Sequence, residues 1–566
     1  MASQVTDQHG VIPYEVDLFL RICSMFPSAK KEHFKIPIED LVIYVRCLKL
    51  FEDVHDMFAA RDRVHSLIHF IDHNHPYKIK KIDYDNQYVK MEVSARDLAS
   101  IASRYLLVFS HETIMENWPN KIKRFEDCYG LSIVFKQKRE YHVNLGHPRL
   151  LRLQYGEDSK SLPIDFFERM KEIRVLSLDV PSLPQSLNVL QNLRVLRLKL
   201  LKLDNLSAIG GLISLEFLSI STMSLTVVPQ EIGELGNLRL LDLSKMNLVY
   251  IPQGVLPRML KLEELYLPFR FRRWGCRVKE EHDDYDELKS REDDDCDDEE
   301  RINASLSDIG SLSLNALQIS VPSISNFPKN SPVLKNLQRF KILVQDDLKY
   351  LSTNKGSTNE LQLRGDICDI EESGICRLIS TTEDLSLTRI RNLKSINHVI
   401  YQSEDNDLLH IRLKKMIISE CDELEYILYG SQNCYPVFSL FWRLKSLHLS
   451  MLSNLREILN GRICFTNLRQ INIRFCHKLK YVFPTSMVNE LRTLRSIEIL
   501  DCTGILGIFR NEVDENTHGV HCIEELLLHS LPNFIGFLVL KDDTIDAANQ
   551  SLITNEVTKN FTRIIY

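Results

Sequence analysis

The chain has 566 residues, more than one compact core usually holds, so several domains or a repeat array are expected. Hydrophobic residues at 44% and charged residues at 26% are ordinary for a folded chain, and no apolar run of about 18 or more residues predicts a membrane-spanning helix. The net charge of −7 is uneven: residues 280–300 carry fourteen Asp/Glu against Lys289 and Arg291, net −12, which leaves about +5 for the rest.

The first ten residues, MASQVTDQHG, are polar and lack the basic and apolar regions of a signal peptide. Residues 1–14 are expected to be unstructured. Thirteen cysteines are scattered without a C-x-x-C pair. Without a secretion signal they are expected to be reduced thiols in a cytoplasmic or nuclear protein.

Residues 15–135 carry no repeat. EVDLFLRICSMF (15–26) has helical spacing, and Pro37 opens a second helix over 38–51. AARDRVHSLIHFI (59–71) predicts a third helix. KIKKIDY (78–84) and QYVKM (87–91) predict a hairpin, and a further helix follows from Ala95. This is a winged-helix order, but the third helix lacks a dense Arg/Lys/Asn face, so nucleic acid is not an expected partner. The same helix carries His65, His69 and His73 at i, i+4 and i+8, with His75 beyond. Such spacing can hold zinc, yet no cysteine or second histidine pair stands nearby to complete a shell. A polar helix face is the expected reading, with no metal.

From residue 145 the chain repeats itself. The unit L-x-x-L-x-L appears at Ile173–Leu178, LRVLRL (193–198), LEFLSI (215–220), LRLLDL (238–243) and LEELYL (262–267). Its central Leu falls at Leu176, Leu196, Leu218, Leu241 and Leu265, with steps of 20, 22, 23 and 24 residues. This is the leucine-rich-repeat period. Further strands are expected at Leu317, Phe340, Leu361, Leu385, Met416, Leu447, Ile471, Ile497 and Leu526. The last five follow L-x-I-x-x-C-x-x-L-x-x-I, whose cysteine slot holds Cys421, Leu452, Cys476, Cys502 and Leu531. Alternation with Leu makes these cysteines core residues rather than ligands. The fold class expected is α/β: a leucine-rich-repeat solenoid with a curved parallel sheet over 145–540, in about 15 units, preceded by a mostly helical winged-helix domain. The acidic stretch 278–301 is expected as a disordered, solvated insertion, and 541–566 as an unassigned tail. A calcium loop would need a Gly that this stretch lacks.

The x positions of the early strands are candidates for a concave, protein-binding face: Arg174, Arg194, Arg197, Glu216, Arg239, Asp242, Glu263, Glu264 and Tyr266. No Ser/His/Asp elbow, H-E-x-x-H, paired Cys/His signature or phosphate loop is present, so no catalytic residue is assigned and an enzyme is not expected.

Several motifs in order resemble plant coiled-coil nucleotide-binding leucine-rich-repeat (NB-ARC LRR) disease resistance proteins. They are FLRICSMFP (19–27), IPIEDLVIY (36–44), LFEDV (50–54), ARDRVHSLI (60–68), DFFERMKEIRVLSL (165–178), INASLSDIGSLSLNALQI (302–319) and NLQRFKILV (336–344). The resemblance implies that 15–135 corresponds to the end of the family's NB-ARC module, with the preceding nucleotide-binding core and coiled coil missing: a receptor truncated at its N-terminus. The family's Met-His-Asp motif, whose His reaches bound ADP, matches Met91-Glu92-Val93. A glutamate there would repel phosphate rather than donate to it. No cofactor is therefore expected, and ADP or ATP only if a nucleotide-binding domain lies upstream. The function implied is plant innate immunity, with the repeats binding a pathogen effector, a guarded host protein or a full-length related receptor. The alternatives are a repeat adaptor for a ubiquitin ligase, which would need an F-box-like motif, or a receptor fragment without function.

Overall fold

The computed structural model describes residues 13–24, 26, 34–48, 51, 54, 56–74, 79–82, 88–91, 106–110, 130–135, 147–155, 165–183, 185–200, 207–278, 301–344, 359–400, 411–429, 441–460, 465–484, 487, 491–510, 523–539 and 563–565. They fall into two units, one ending at Leu314 and one beginning at Asn315.

The first unit opens with a helical layer: α1 (Pro13–Ser24), β1 (Phe34–Pro37), α2 (Ile38–Cys47), α3 (Met57–Asn74), β2 (Ile79–Ile82) and β3 (Tyr88–Met91). Pro37 sits in extended backbone with φ −63° and starts α2, and Glu39 and Asp40 favour the positive end of its dipole. On α3, Val64, Leu67, Ile68 and Ile71 recur at helical spacing and all are buried. β3 lies between β1 and β2 in an antiparallel sheet, with Val89 opposite both Ile36 and Lys81. β1 is an addition to the expected elements; its four residues were too few to show a period. The helix expected from Ala95, and Glu92 and Val93 before it, lie outside the described residues.

The repeats of this unit form a parallel ladder: β4 (Leu106–Ser110), β5 (Gly130–Phe135), β6 (Leu150–Tyr155), β7 (Val175–Val180), β8 (Val195–Leu200), β9 (Phe217–Ser221), β10 (Leu240–Asp242) and β11 (Glu264–Tyr266). Leu107, Leu131, Leu151, Leu176, Leu196, Leu218, Leu241 and Leu265 stand in one register. β4 and β5 fall within the span 15–135 assigned to the winged helix, so the ladder begins earlier than residue 145. The reason is visible in the motif: the opening Leu slot of L-x-x-L is filled by Arg104, Cys128 and Pro148, which hides the first three strands.

After β11 the chain forms β12 (Arg277–Val278) and β13 (Arg301–Ile302), an antiparallel pair at the base of the acidic stretch. Val278 and Arg301, the ends of the expected disordered insertion, are thus held in a ribbon; 279–300 lie outside the described residues. Buried Asn303 secures the return: its Oδ1 accepts from the Ile251 amide at 2.8 Å and its Nδ2 donates to the Val249 carbonyl at 3.2 Å.

The second unit continues with β14 (Ala316–Val321), β15 (Arg339–Val344), β16 (Asn359–Asp366), β17 (Asp384–Arg391), β18 (Lys415–Ser419), β19 (Tyr426–Tyr429), β20 (Ser446–Ser450), β21 (Glu457–Asn460), β22 (Gln470–Arg474), β23 (Tyr481–Pro484), β24 (Ser496–Leu500), β25 (Gly507–Arg510), β26 (Glu525–His529), β27 (Gly536–Val539) and β28 (Arg563–Ile565). β14–β18, β20, β22, β24, β26 and β28 make a second parallel ladder. All nine strands expected between Leu317 and Leu526 lie in it. β28 falls in the tail left unassigned, where no repeat motif precedes it.

The backs of the coils differ between the units. In the first they are short 3-10 turns, Gln185–Val189, Gln230–Glu234 and Leu256–Arg258. In the second, from β18 onward, the final Ile of the L-x-I-x-x-C pattern falls in a second strand, giving outer parallel sets β19–β21 and β23–β25–β27. The residue after each main strand, Glu420, Met451, Phe475, Asp501 and Ser530, adopts left-handed backbone with φ between 53° and 55°. Each costs about 1–2 kcal/mol, and the turn it makes drives the next side chain into the core.

Candidate functional site

Within each L-x-x-L-x-L unit the Leu slots point to the core. The third and fifth slots point to the opposite face of the sheet, because side chains alternate along a strand. In the first unit the third slot holds Leu150, Val175, Val195, Phe217 and Leu240, and all are buried. They pack in one cluster with Phe19, Ile43, Tyr44, Val64, Leu67 and Ile68 of the helical layer, so α1–α3 lie on the face expected to be open.

Polar contacts complete this docking. The Arg61 guanidinium clasps Glu264 with both terminal nitrogens at 2.7 Å and also bonds Glu39 at 3.0 Å. Burial pulls on the Arg61 pKa, but Glu39 and Glu264 outweigh it and hold it above the ordinary arginine value. Tyr266 donates its hydroxyl to Glu264 at 2.8 Å. In the fifth slot, Arg197 pairs with Asp40 of α2, and burial lowers its pKa. Arg152, in the same row, lies over the Phe26 ring at 4.5 Å. Asp242 accepts from Ser219 at 3.0 Å and from the Ser244 hydroxyl at 2.6 Å.

Of the nine concave-face candidates, Arg197, Glu264 and Tyr266 are therefore tied into this buried layer instead of facing solvent. Asp242 shares their row. The other five, Arg174, Arg194, Glu216, Arg239 and Glu263, stand one residue before the strands at the edge of the ladder. Arg194 pairs with Glu216 at 3.2 Å, and Arg239 with Glu263. The signal of a covered face lies instead in the third-slot row, where five apolar residues stand in register.

From β18 onward the second unit has the opposite chemistry. Its third-slot row reads Lys415, Ser446, Gln470, Ser496 and Glu525, and its fifth-slot row Ile417, His448, Asn472, Glu498 and Leu527. Arg474 donates to Glu498 at 2.6 Å and to Asn472 at 3.0 Å, and the Ser446 hydroxyl lies 2.7 Å from His448 Nε2. Burial first, then Lys415, lowers the His448 pKa. Asn472 is buried; the remaining members of both rows are half-buried or exposed. Met451 and Phe475, on the left-handed turns beside them, are exposed.

The cysteine slots are filled as core. Cys421, Leu452, Cys476 and Cys502 are fully buried, and Leu531 is half-buried in the last coil of this pattern. Their sulfurs also serve the backbone: Cys421 Sγ accepts the Ile390 amide at 3.4 Å and Cys502 Sγ the Cys476 amide at 3.3 Å. Burial pushes the Cys421 thiol up to about 11.

His69 and His73 are exposed and stack at 6.5 Å between ring centroids; His75 lies outside the described residues. Among the described residues no group of three or more His, Cys, Asp or Glu could hold a metal, and no helix is long and apolar enough to cross a membrane. Met91 ends β3, while Glu92 and Val93, the other two residues of the degenerate motif, are not described.

Two clefts remain. One, of about 320 Å³, lies where the outer strands β21 and β23 are not paired, lined by Arg456, Glu457, Lys478, Tyr481, Phe483 and Arg510. The other, of about 400 Å³, runs along the ladder edge of the first unit, lined by Arg46, Arg174, Arg194, Glu216, Arg239 and Lys261 among others.

Parallel ladders whose successive strands mostly step by 20–31 residues, with Leu-lined coils, define a leucine-rich-repeat protein. Residues 412–503 match the family model described as plant disease resistance protein RPS2-like, leucine-rich repeats. No curated protein matches the chain significantly. Among solved structures it is similar to a leucine-rich-repeat protein of Leptospira interrogans, LIC12759, at 17% identity and TM-score 0.43, covering 81% of this chain and 95% of that one. It is also similar to an internalin of Listeria monocytogenes, at 14% identity and TM-score 0.27, covering 66% and 88%. A third similarity is to the repeat ectodomain of the Arabidopsis thaliana receptor kinase GASSHO1/SCHENGEN3, at 14% identity and TM-score 0.28, covering 69% and 56%.

Proposed function

We propose that this chain is a plant defence protein whose leucine-rich repeats recognise another protein through the polar face of β18, β20, β22, β24 and β26. One observation carries the reading: the segment matching the plant disease resistance repeat model, 412–503, is the segment whose third-slot row is polar and only half-buried. Its ligand is a pathogen effector, a guarded host protein or a related full-length receptor. The helical layer corresponds to the winged-helix end of an NB-ARC module. These 566 residues contain no G-x-x-x-x-G-K-[ST] loop, and we assign them neither a nucleotide switch nor a catalytic activity.

The test is proximity labelling in plant tissue with the chain and with a variant carrying K415E, H448A, R474E and E498K. Loss of specific neighbours in the variant, with circular dichroism unchanged, is the expected result. An unchanged neighbour set would remove this face from the proposal. Purified protein should hold no ADP; nucleotide near one per chain would overturn the assignment of no switch.

A further inference from the structure

The cleft along the ladder edge of the first unit holds more positive charge than its surroundings neutralise. Arg174, Arg194 and Arg239 stand one residue before β7, β8 and β10, Lys261 comes from the following coil, and Arg46 reaches in from the end of α2. Glu216 is its one lining carboxylate. Two of the cations are committed, Arg194 to Glu216 and Arg239 to Glu263. Arg46, Arg174 and Lys261 have no carboxylate partner among the described residues, and Lys261 is held only by the Asn237 side chain at 2.7 Å. Arg46 Nε is buried with no hydrogen-bond partner among the described residues. A buried guanidinium N–H left unpaired carries a desolvation cost that a bound anion would remove.

The chemistry narrows the ligand. Three uncompensated cations match about two phosphate groups, each bearing roughly −1.5 to −2 charges at neutral pH. Guanidinium forks suit phosphate oxygens. A volume of about 400 Å³ fits a small molecule. The lining is wholly polar, with Asn192, Ser214 and Asn237 completing it, so a nucleobase would meet no apolar wall. We propose that this cleft binds a small, soluble molecule bearing at least two phosphate groups and no nucleobase, bridged between Arg46 of the helical layer and Arg174 and Lys261 of the repeat edge. The proposal does not depend on the partner face assigned above.

Tripolyphosphate is the probe, titrated calorimetrically into the full chain at fixed ionic strength, with ATP and sulfate in parallel. Near one-to-one binding of tripolyphosphate, tighter than ATP and sulfate, is expected. R46Q/R174Q should weaken it at least tenfold. R270Q/R273Q, in the basic stretch outside the cleft, should leave it unchanged. K261Q, at an exposed coil position, should weaken it severalfold, and it reads the same site if the first pair fails to fold. Equal affinity in R46Q/R174Q or K261Q, or an equal loss in R270Q/R273Q, overturns the site. Tighter binding of ATP overturns the ligand class.

Discussion

Two third-slot rows occupy the same place in the same repeat, yet they are built for opposite ends. Leu150, Val175, Val195, Phe217 and Leu240 are buried under α1–α3, while Lys415, Ser446, Gln470, Ser496 and Glu525 carry polar groups at half-buried or exposed positions. The slot is indifferent to its own fold, because the Leu slots on the other side already make the core. What fills it records what lies against it. A leucine-rich repeat therefore carries two messages in one motif: the L slots say that the coil stacks, and the x slots say whether its face is taken.

The sharpest way to break this contrast is to cut a large side chain from the covered row. Phe217→Ala should cost about 3–5 kcal/mol, read as a lower unfolding midpoint and faster hydrogen exchange in α2 and α3. Ser496→Ala, its counterpart, should stay within about 0.5 kcal/mol. Comparable losses at both positions would erase the distinction.

Next comes the ionic clasp. Arg61→Met leaves Glu264 as a buried carboxylate supported only by Tyr266, and should cost about 3 kcal/mol or more. Arg61→Met with Glu264→Leu should recover most of that. Failure of the double variant to recover would mean that the clasp orders the layer and does not merely neutralise charge. Chemical denaturation of the four members of the cycle measures it.

A smaller effect tests the tight coils of the second unit. A Cβ on Gly504 would run into the backbone carbonyl of His477 in the preceding coil. Gly504→Ala should cost about 1–3 kcal/mol, whereas Gly236→Ala in the first unit, where a Cβ meets nothing, should be nearly neutral. Thermal unfolding separates them.

The smallest effect concerns the thiols. With native protein at pH 8, iodoacetamide should modify exposed Cys276 and Cys368 well before buried Cys421, Cys476 and Cys502, as peptide mass spectrometry would show. Burial raises the Cys421 thiol from 9.0 to about 11. The stability it contributes is therefore whole below about pH 9 and is lost as pH climbs toward 11, because the unfolded chain ionises first. A flat alkaline limb in Cys421→Ala relative to the parent would agree.

Much of the architecture was legible. The 20–24-residue step placed Leu176 through Leu265, and the Cys/Leu alternation identified Cys421, Cys476 and Cys502 as core. β4–β6 escaped because Arg104, Cys128 and Pro148 occupy the slot that holds the opening Leu of the motif. The outer strands β19, β21, β23, β25 and β27 escaped because each holds only four residues, too few for a period of two to stand out. The site was harder. Charged x residues were read as a binding face, yet Arg197 and Glu264 are charged because Asp40 and Arg61 meet them.

What the sequence determined by itself is what the leucine motif repeats: the coil, the register of its inner strands from β7 onward, and which side chains line the stack. Those follow from contacts between residues about one coil apart, which periodicity records. What lies on the sheet was decided by tertiary structure. Arg61 and Glu264 are 203 residues apart, and no local pattern at either position says that they will meet. The meeting is set by the apolar area that the helical layer and the third-slot row must both remove from water.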